Sequence, residues 1–374
     1  MTPEISIILP CRDEEQALDF CLNEIKQVVE KNNLSAEVIV SDSSFDKSPE
    51  IAKKHGAILV KHNKEGYGSA YLEGIKHADG KYIFIADADA TYDFARIPEF
   101  IHELKNGNHL VLGNRFSGKM EAGAMPFLNR HIGNPILSFI FRVFFKAKIK
   151  DTQSGMRAFK KQTFESLGLK TTGMEFASEM LIKAIRNNLK IKEIPINYRK
   201  RMGKSKLKPY SDAWKHVRFM LLYSPLFLFL WPGLILFLLG ASSMLWLYFD
   251  TPELFGIKLF YHPMFLSSLL LITGYQLIIF AGFAKIYSIN HLGEKSKVFE
   301  NLFQHITIER ASLIGGMVII LGIITFILIA LKWLDSGFGE LNEIKNSVAG
   351  LTLIVLGIQT IFSSFMLSIL GIKK

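Results

Sequence analysis

The sequence predicts a two-part chain. An α/β domain on a doubly wound, Rossmann-like parallel sheet comes first. An all-α membrane domain of four transmembrane helices in two hairpins follows. Two patterns carry this. Short β-branched and aromatic runs alternate with helical patterns through residues 1–210, as in strand–helix–strand units. Later, about 221–248, 262–284, 312–334 and 347–371, four stretches are apolar over the roughly 20 residues that cross a bilayer.

Charge follows the same division. Of 374 residues, 49% are hydrophobic and 21% charged. A chain this apolar buries enough surface to fold, which excludes disorder. Residues 1–141 carry 15 basic and 20 acidic side chains, residues 142–220 carry 20 and 6, and residues 221–374 carry 9 and 8. The basic block thus sits immediately before the apolar half. Charge in that position faces anionic headgroups, so a membrane surface is expected as partner and nucleic acid is not. The chain opens directly on Ile5–Leu9, with no apolar core of a secretory leader. Lys285, Lys295, Lys297 and Arg310 fall in one loop, and Lys373 and Lys374 at the end. The positive-inside rule then puts residues 1–220, the 285–311 loop and the tail in the cytoplasm. Only Cys11 and Cys21 are present, in a region expected to be intracellular, so neither a disulfide framework nor a cysteine metal site is expected.

Within residues 1–210, strands are expected at Ile5–Leu9, Glu37–Ser41, Ala57–Lys61 and Tyr82–Ala86, with helices over 14–32, 47–55 and 68–78. Further strands are expected at 109–113, 156–160 and 191–199, and a helix near 175–188. Residues 134–149 form a basic, aromatic amphipathic segment. It is too charged to span a bilayer. It suits the membrane interface, or alternatively packing on the sheet. Domain limits are set at 1–210 and 211–374. Pro225 and Pro232 predict a kink at the start of the first span.

Three features carry chemistry. Asp87-Ala88-Asp89 follows the strand Tyr82–Ala86, with Asp93 just beyond. Ligands of open α/β sheets bind past the strands' carboxyl ends. Two acids there suit a hard divalent cation, and through it a phosphate. Asp42 ends the second strand and could accept a hydrogen bond from a base or ribose. Asn63-Lys64-Glu-Gly66-Tyr-Gly68 opens a helix, where glycines admit either a phosphate or a tight turn.

In this order and spacing the features resemble family 2 glycosyltransferases of the GT-A fold, in particular polyprenyl-phosphate (dolichyl-phosphate) glycosyltransferases. The resemblance runs through Ile8-Leu9-Pro10-Cys-Arg-Asp13-Glu14-Glu15, Val38-Ile-Val-Ser-Asp42-Ser-Ser-Phe-Asp46, Asn63–Gly68 and Asp87-Ala-Asp89. It continues through Leu112-Gly-Asn-Arg115-Phe, Asn129-Arg130-His-Ile-Gly-Asn134, Asp151-Thr-Gln-Ser154-Gly155-Met-Arg157-Ala-Phe159 and Glu193-Ile-Pro195-Ile-Asn-Tyr198-Arg199. It implies that Pro10, Asp13, Glu14 and Asp42 line a nucleotide pocket. Asp87 and Asp89 would hold Mg²⁺ or Mn²⁺ on the donor diphosphate. Arg115, Arg130 and Asn134 would hold the phosphate of a lipid acceptor, making Asp89, Arg115 and Arg130 the catalytic set. Arg199, Arg201 and Lys206 would close over the donor. The implied partners are a nucleotide-diphosphate sugar of the UDP-glucose or GDP-mannose class, a polyprenyl or dolichyl phosphate, membrane lipids, and further copies of the chain assembling through its spans. The implied reaction inverts the anomeric carbon.

Ser41 stands where the family usually has Asp, Ser43 where it has Gly, and Asp13 where it has Asn. Thr91 stands where dolichyl-phosphate mannose synthases often carry a Gln metal ligand, which leaves the third protein ligand and the sugar open. No Q-x-x-R-W motif of processive synthases occurs between residues 175 and 215. Two other functions fit the sequence: a non-enzymatic scaffold or flippase partner with a sugar-nucleotide-binding head, and transfer to another membrane lipid.

Overall fold

The computed structural model describes residues 2–203, 209–292 and 307–371. Two compact units emerge, residues 1–223 and 224–374.

The first unit is a seven-stranded sheet. Its elements in chain order are β1 (Ile5–Cys11), α1 (Leu18–Lys31), β2 (Ala36–Asp42), α2 (Ser48–Lys54), β3 (Ile58–Lys61), α3 (Tyr67–Ile75), β4 (Tyr82–Ile85), α4 (Ile97–Lys105), β5 (Leu110–Asn114), α5 (Asn134–Phe145), β6 (Arg157–Lys160), α6 (Lys161–Leu167), α7 (Phe176–Arg186), β7 (Ile191–Pro195) and α8 (Pro209–Leu222). The strand order is β3-β2-β1-β4-β6-β5-β7. Six strands run parallel and β6 runs antiparallel to both neighbours. The structure keeps the expected Rossmann-like sheet and makes β6 antiparallel, where the strand–helix alternation argued for a parallel strand. It also corrects the last strand, which ends at Pro195; only Tyr198 continues, in isolated bridges to Tyr92 and Met120.

Side chains alternate across the sheet. Ile5, Ile7 and Leu9 bury in the layer containing Leu18, Ile25, Phe100 and Leu104, from α1 and α4. Ile8, Ile39, Ile83 and Ile85 bury in the opposite layer with Tyr71, Phe141, Phe176 and Met220, from α3, α5, α7 and α8. The same alternation separates the last two residues of β2. Ser41 turns toward α3 and donates a hydrogen bond to the Ala70 carbonyl. Asp42 faces the other way. Gly74 permits this contact, since a Cβ there would lie 2.7 Å from Ile8 Cγ2 and 3.2 Å from the Ser41 Cβ. Cys11 and Cys21 are free and buried.

The second unit holds four helices long and apolar enough to cross a membrane: Leu226–Phe249, His262–Ile289, Ile308–Asp335 and Ile344–Gly371. The first begins after Pro225 with a π-helical turn, Leu226–Leu230, before the α-helix Trp231–Phe249. Small residues let backbones approach closely. A Cβ at Gly274 would lie 2.2 Å from Phe237 N, and one at Gly315 would lie 2.8 Å from the Gly357 carbonyl oxygen. Polar pairs cross between the second and fourth helices: Ser268 with Thr352 at 2.6 Å, Tyr275 with Thr360 at 2.6 Å, and Gln359 donating to Gln276 at 2.9 Å. The 285–311 loop and the tail used for orientation lie largely outside the described residues.

Candidate active site

The strand ends at β1, β2 and β4 build the site. β4 stops at Ile85 and the chain turns through Asp87 to Ala90, which adopts a left-handed φ of 63°. Asp89 is 6% exposed. Its Oδ1 accepts from the Thr91 amide at 3.1 Å and from the Thr91 hydroxyl. Thr91 therefore orients the acid. Asp87 is partly enclosed beneath Gly155, whose amide donates to the Tyr92 hydroxyl at 2.7 Å. A Cβ on Gly155 would lie 2.8 Å from Asp87 Oδ2, so only glycine lets the 151–155 loop cover this carboxylate closely. Burial, and then the charge of Asp89, push the Asp87 carboxyl up to about 7. An acid held that high by a neighbouring acid is stabilised by any cation placed between them.

The structure already sets one cation there. Residues 198–202 run beside 89–92, with the Arg199 amide donating to Thr91 O and the Met202 amide to Asp89 O. This brings Arg201 Nη1 to 2.7 Å from Asp89 Oδ2, while its Nη2 bonds Glu14. Glu14 and Arg201, both expected to bind the donor, pair with each other here. Arg199 was expected to close over donor phosphates, and here it is engaged by acids instead. Its guanidinium is bidentate to Glu24 at 2.7 and 2.9 Å and reaches Asp93 at 3.2 Å. Its charge pins the strip to α1. Lys206 lies outside the described residues.

Beside these acids a cleft of about 430 Å³ opens, lined by Arg12, Asp42, Ser43, Ser44, Phe45, Lys61, His62, Asn63, Lys64 and Glu65. Asp42, expected to accept from a base or ribose, is among the residues lining this cleft. Pro10 is only half-buried near the carboxyl end of β1, paired in register with Ser41. Asp13, expected in the nucleotide pocket, is not among the residues lining the cleft. It takes a φ of 49°, accepts from the Phe45 amide at 2.8 Å, and donates from its own amide to the Ser44 hydroxyl oxygen at 2.8 Å. It braces the turn that frames the cleft. Asp46 likewise accepts from the Ser48 and Glu15 amides. The glycines of 63–68 serve the chain itself. Gly66 has a φ of 108°, and a Cβ there would lie 2.3 Å from Thr172 O. The Gly68 and Ser69 amides are taken by the carbonyls of Gly173 and Thr172. The start of α3 is therefore closed by backbone rather than open to phosphate.

On the other side stand the two arginines and the asparagine expected at an acceptor phosphate. Arg130 lies in a π-helical turn, Asn129–Gly133, leading into α5. It is exposed and makes no ion pair with a described residue. Asn134 follows about one turn later and donates to Met125 Sδ. Arg115 differs from expectation. It is 6% exposed and bidentate to Asp151 at 2.8 Å through Nε and Nη2. The opposing carboxylate holds its charge in place and pushes its pKa well above the ordinary value against the cost of burial. Arg115 thus arrives with its charge balanced, stacked 5.3 Å from the Tyr198 ring. Ser138 of α5 bonds Thr152 at 3.1 Å, which ties the helix after Arg130 to the loop covering Asp87.

Several residues of the site carried no role from sequence. Arg157 is fully buried and donates to three carbonyls, of Ser154, Thr152 and Ala177. It fixes the 152–155 loop. Tyr67, Tyr71 and Tyr92 surround Asp87, with Tyr71 donating at 3.4 Å. The Asp151–Arg157 motif was the one signal for the loop; its partners are far away in sequence.

The geometry defines an acid pair at a sheet's carboxyl edge, beside a polar cleft and a basic helix start. Residues 6–168 match the glycosyl transferase family 2 model, and residues 282–371 match the family 2 C-terminal transmembrane region. The low-salt glycan biosynthesis hexosyltransferase Agl6 of Haloferax volcanii is 36% identical over 99% of this chain and 90% of its own. The dolichyl-phosphate hexose transferase of the same organism is 31% identical over 56% of this chain and 89% of its own. The dolichol-phosphate mannosyltransferase of Pyrococcus furiosus is 30% identical over 55% and 59%. Among solved structures, glucosyl-3-phosphoglycerate synthase from Mycobacterium tuberculosis aligns over 59% of this chain and 78% of its own, at 19% identity and a TM-score of 0.45. The chain belongs to glycosyltransferase family 2. It is a glycosyltransferase with a GT-A domain and an integral membrane domain.

Proposed function

We propose that this enzyme transfers a hexose from a nucleotide-diphosphate sugar to a polyprenyl or dolichyl phosphate, with inversion, on the cytoplasmic face of the membrane. The observation that carries this reading is Arg130. It is an exposed cation without an ion pair among the described residues, at the root of a helix with an apolar exposed face. An acceptor with a phosphate head and an isoprenoid tail meets both features. The names of the similar hexose and mannose transferases support the acceptor class.

The reaction needs no general base. A phosphate monoester is already an anion at neutral pH, so its oxygen can attack the anomeric carbon. The bond from that carbon to the donor's diphosphate oxygen breaks, and the nucleoside diphosphate leaves. What remains for the protein is alignment and charge neutralisation. Arg130 and Asn134 hold the acceptor's phosphate, with Arg115 fixing the turn beside them. Asp42 and Ser43 receive the nucleoside in the cleft. Arg201 swings from Asp89 to the donor's phosphates.

Asp87 and Asp89 suit a divalent cation, Mg²⁺ or Mn²⁺. Burial and then the charge of Asp89 raise Asp87, and Asp89 already takes a cationic partner. Among the described residues no three acidic, histidine or cysteine side chains form a ready cage. Two carboxylates with the donor's phosphates would complete the shell. Such a metal stabilises the leaving diphosphate as a Lewis acid.

The test incubates purified chain with dolichyl or undecaprenyl phosphate, Mn²⁺ and radiolabelled UDP- and GDP-sugars, then counts the lipid phase. Label from one donor, abolished by Asp89→Ala, is expected. Arg130→Ala should raise KM for the lipid by about 10-fold or more, from loss of a charge-assisted contact, with nucleotide affinity unchanged. Label appearing only in a neutral lipid would refute the acceptor. An unaltered KM in Arg130→Ala would refute its site.

A further inference from the structure

A second basic feature lies away from the carboxyl edge. Lys146 ends α5 in a left-handed turn with φ 52°, and the chain doubles back beside β7, the edge strand. Between them is a cleft of about 510 Å³ with Lys146, Lys148 and Lys192 on its lining and Ile149, Ile185 and Leu189 as apolar wall. Lys150 and Lys190 flank it. All five lysines are exposed, and none forms an ion pair with a described residue. The one acid of the lining, Glu193, is turned inward. Its carboxylate accepts from the Lys150 and Asp151 amides at 2.9–3.0 Å and from the Asn114 side chain. The cleft therefore carries net positive charge over an apolar wall.

A free phosphate would be served by the charge alone. The wall and its surroundings point elsewhere. The helix ending at Lys146 exposes Ile136, Phe139 and Val143 at helical spacing, and Phe127 and Ile132 just before it. Lysines beside an apolar stripe match a surface that is anionic outside and apolar beneath. The chain also carries its own membrane domain, so this unit is never released from a bilayer. We infer that the Lys146–Lys148–Lys192 cleft is a binding site for the phosphodiester headgroup of an anionic membrane phospholipid, separate from the acceptor site at Arg130. Such a site orients the catalytic unit on the membrane and makes turnover depend on the anionic lipid content. It rests on membrane attachment and not on the proposed acceptor.

The test is hydrogen exchange of the full chain in nanodiscs. One set is phosphatidylcholine alone; the other contains one third phosphatidylglycerol. Peptides over 146–150 and 189–193 should exchange about fivefold more slowly with the anionic lipid, the factor one lysine–headgroup contact supplies. The triple variant Lys146→Gln, Lys148→Gln, Lys192→Gln should abolish the difference, and the triple arginine variant should keep it. Unchanged exchange over β1–β4 would show that both variants fold. Equal exchange in the two nanodiscs would overturn the site. Protection reproduced by inorganic phosphate in phosphatidylcholine discs would overturn the lipid as ligand. Label transfer to lipid phosphate in detergent is read separately, so failure there leaves this result standing.

Discussion

Gly155→Ala is the sharpest probe of the site, because the structure fixes what the new methyl meets. It would lie 2.8 Å from Asp87 Oδ2, 2.9 Å from the Tyr67 hydroxyl and 3.1 Å from the Tyr92 hydroxyl. Non-bonded contacts settle near 3.5 Å, so the carboxylate must retreat by about 0.7 Å. The groups that yield are ends of side chains, so the cost to the fold sits near the low end of overpacking, about 1 kcal/mol. The cost to the reaction is larger. A catalytic group displaced by about 1 Å loses on the order of 100-fold, so a fall of roughly 10- to 100-fold in kcat is expected. Nucleotide binding in the cleft at Asp42 should persist, since nothing there moves. Label transfer at saturating donor measures the first, and Mn²⁺ titration by electron paramagnetic resonance measures the loss of metal affinity. Wild-type turnover and Mn²⁺ affinity in a folded Gly155→Ala protein would refute Asp87 as the metal's carboxylate.

Two further outcomes follow from the ion pairs and the buried histidine. Arg201→Gln removes the cation seated on Asp89, so Mn²⁺ should bind the nucleotide-free protein about fivefold more tightly, the worth of a partly screened pair, while donor affinity falls; resonance titration with and without UDP or GDP reads both, and unchanged Mn²⁺ affinity would refute the competition. His216 is 4% exposed and bonded to Ser178 at 2.8 Å, and burial, aided by Arg157, lowers its pKa to about 4. The unfolded chain therefore binds a proton below about pH 6.5 that the folded chain refuses until about pH 4, so stability is complete above that window and falls by about 3 kcal/mol across it. Denaturant midpoints between pH 7 and 4 should slope in the wild type and lie flatter in His216→Asn; identical slopes would refute the role of this histidine.

What the sequence revealed and what it hid divide along contact range. Asp87 and Asp89 were legible because a strand delivers them directly, and that depends only on neighbours in the chain. The amphipathic face of residues 134–149 was legible for the same reason, and α5 exposes Ile136, Phe139 and Val143 while burying Leu137 and Phe141. The glycines at 66 and 68 were visible, but their purpose was not. Their close neighbours are residues 171–173, a hundred positions on. β6 read as one more strand; its antiparallel direction follows from the path of the long 115–156 connection, which periodicity does not encode. Arg199 and Arg201 were indistinguishable as members of one basic run. Glu24 and Glu14, which separate their roles, lie 175 and 187 residues away.

That separation decides which arginine can act. Breaking a buried, bidentate pair by taking away one partner costs about 3–5 kcal/mol, because the other charge is stranded. Arg115 with Asp151 is such a pair, at 7% and 0% side-chain exposure. Arg199 is held by two acids at once, with side-chain exposures of 15% and 12% for Glu24 and Asp93. Neither can leave its partner cheaply, so both belong to the frame. Arg201 is held differently. Its partners are Asp89 and Glu14, and Asp89 is one of the two acids that suit a divalent cation. When Arg201 departs, the charge it leaves is the one a metal and donor diphosphate would replace. On the proposed function, leaving would be cheap only in the presence of both, and donor loading would then be coupled to release of Arg201 onto the donor's phosphates. The run Arg199–Arg201 thus contains a pinned cation and, on the proposed function, a movable one two residues apart, with opposite consequences expected for substitution.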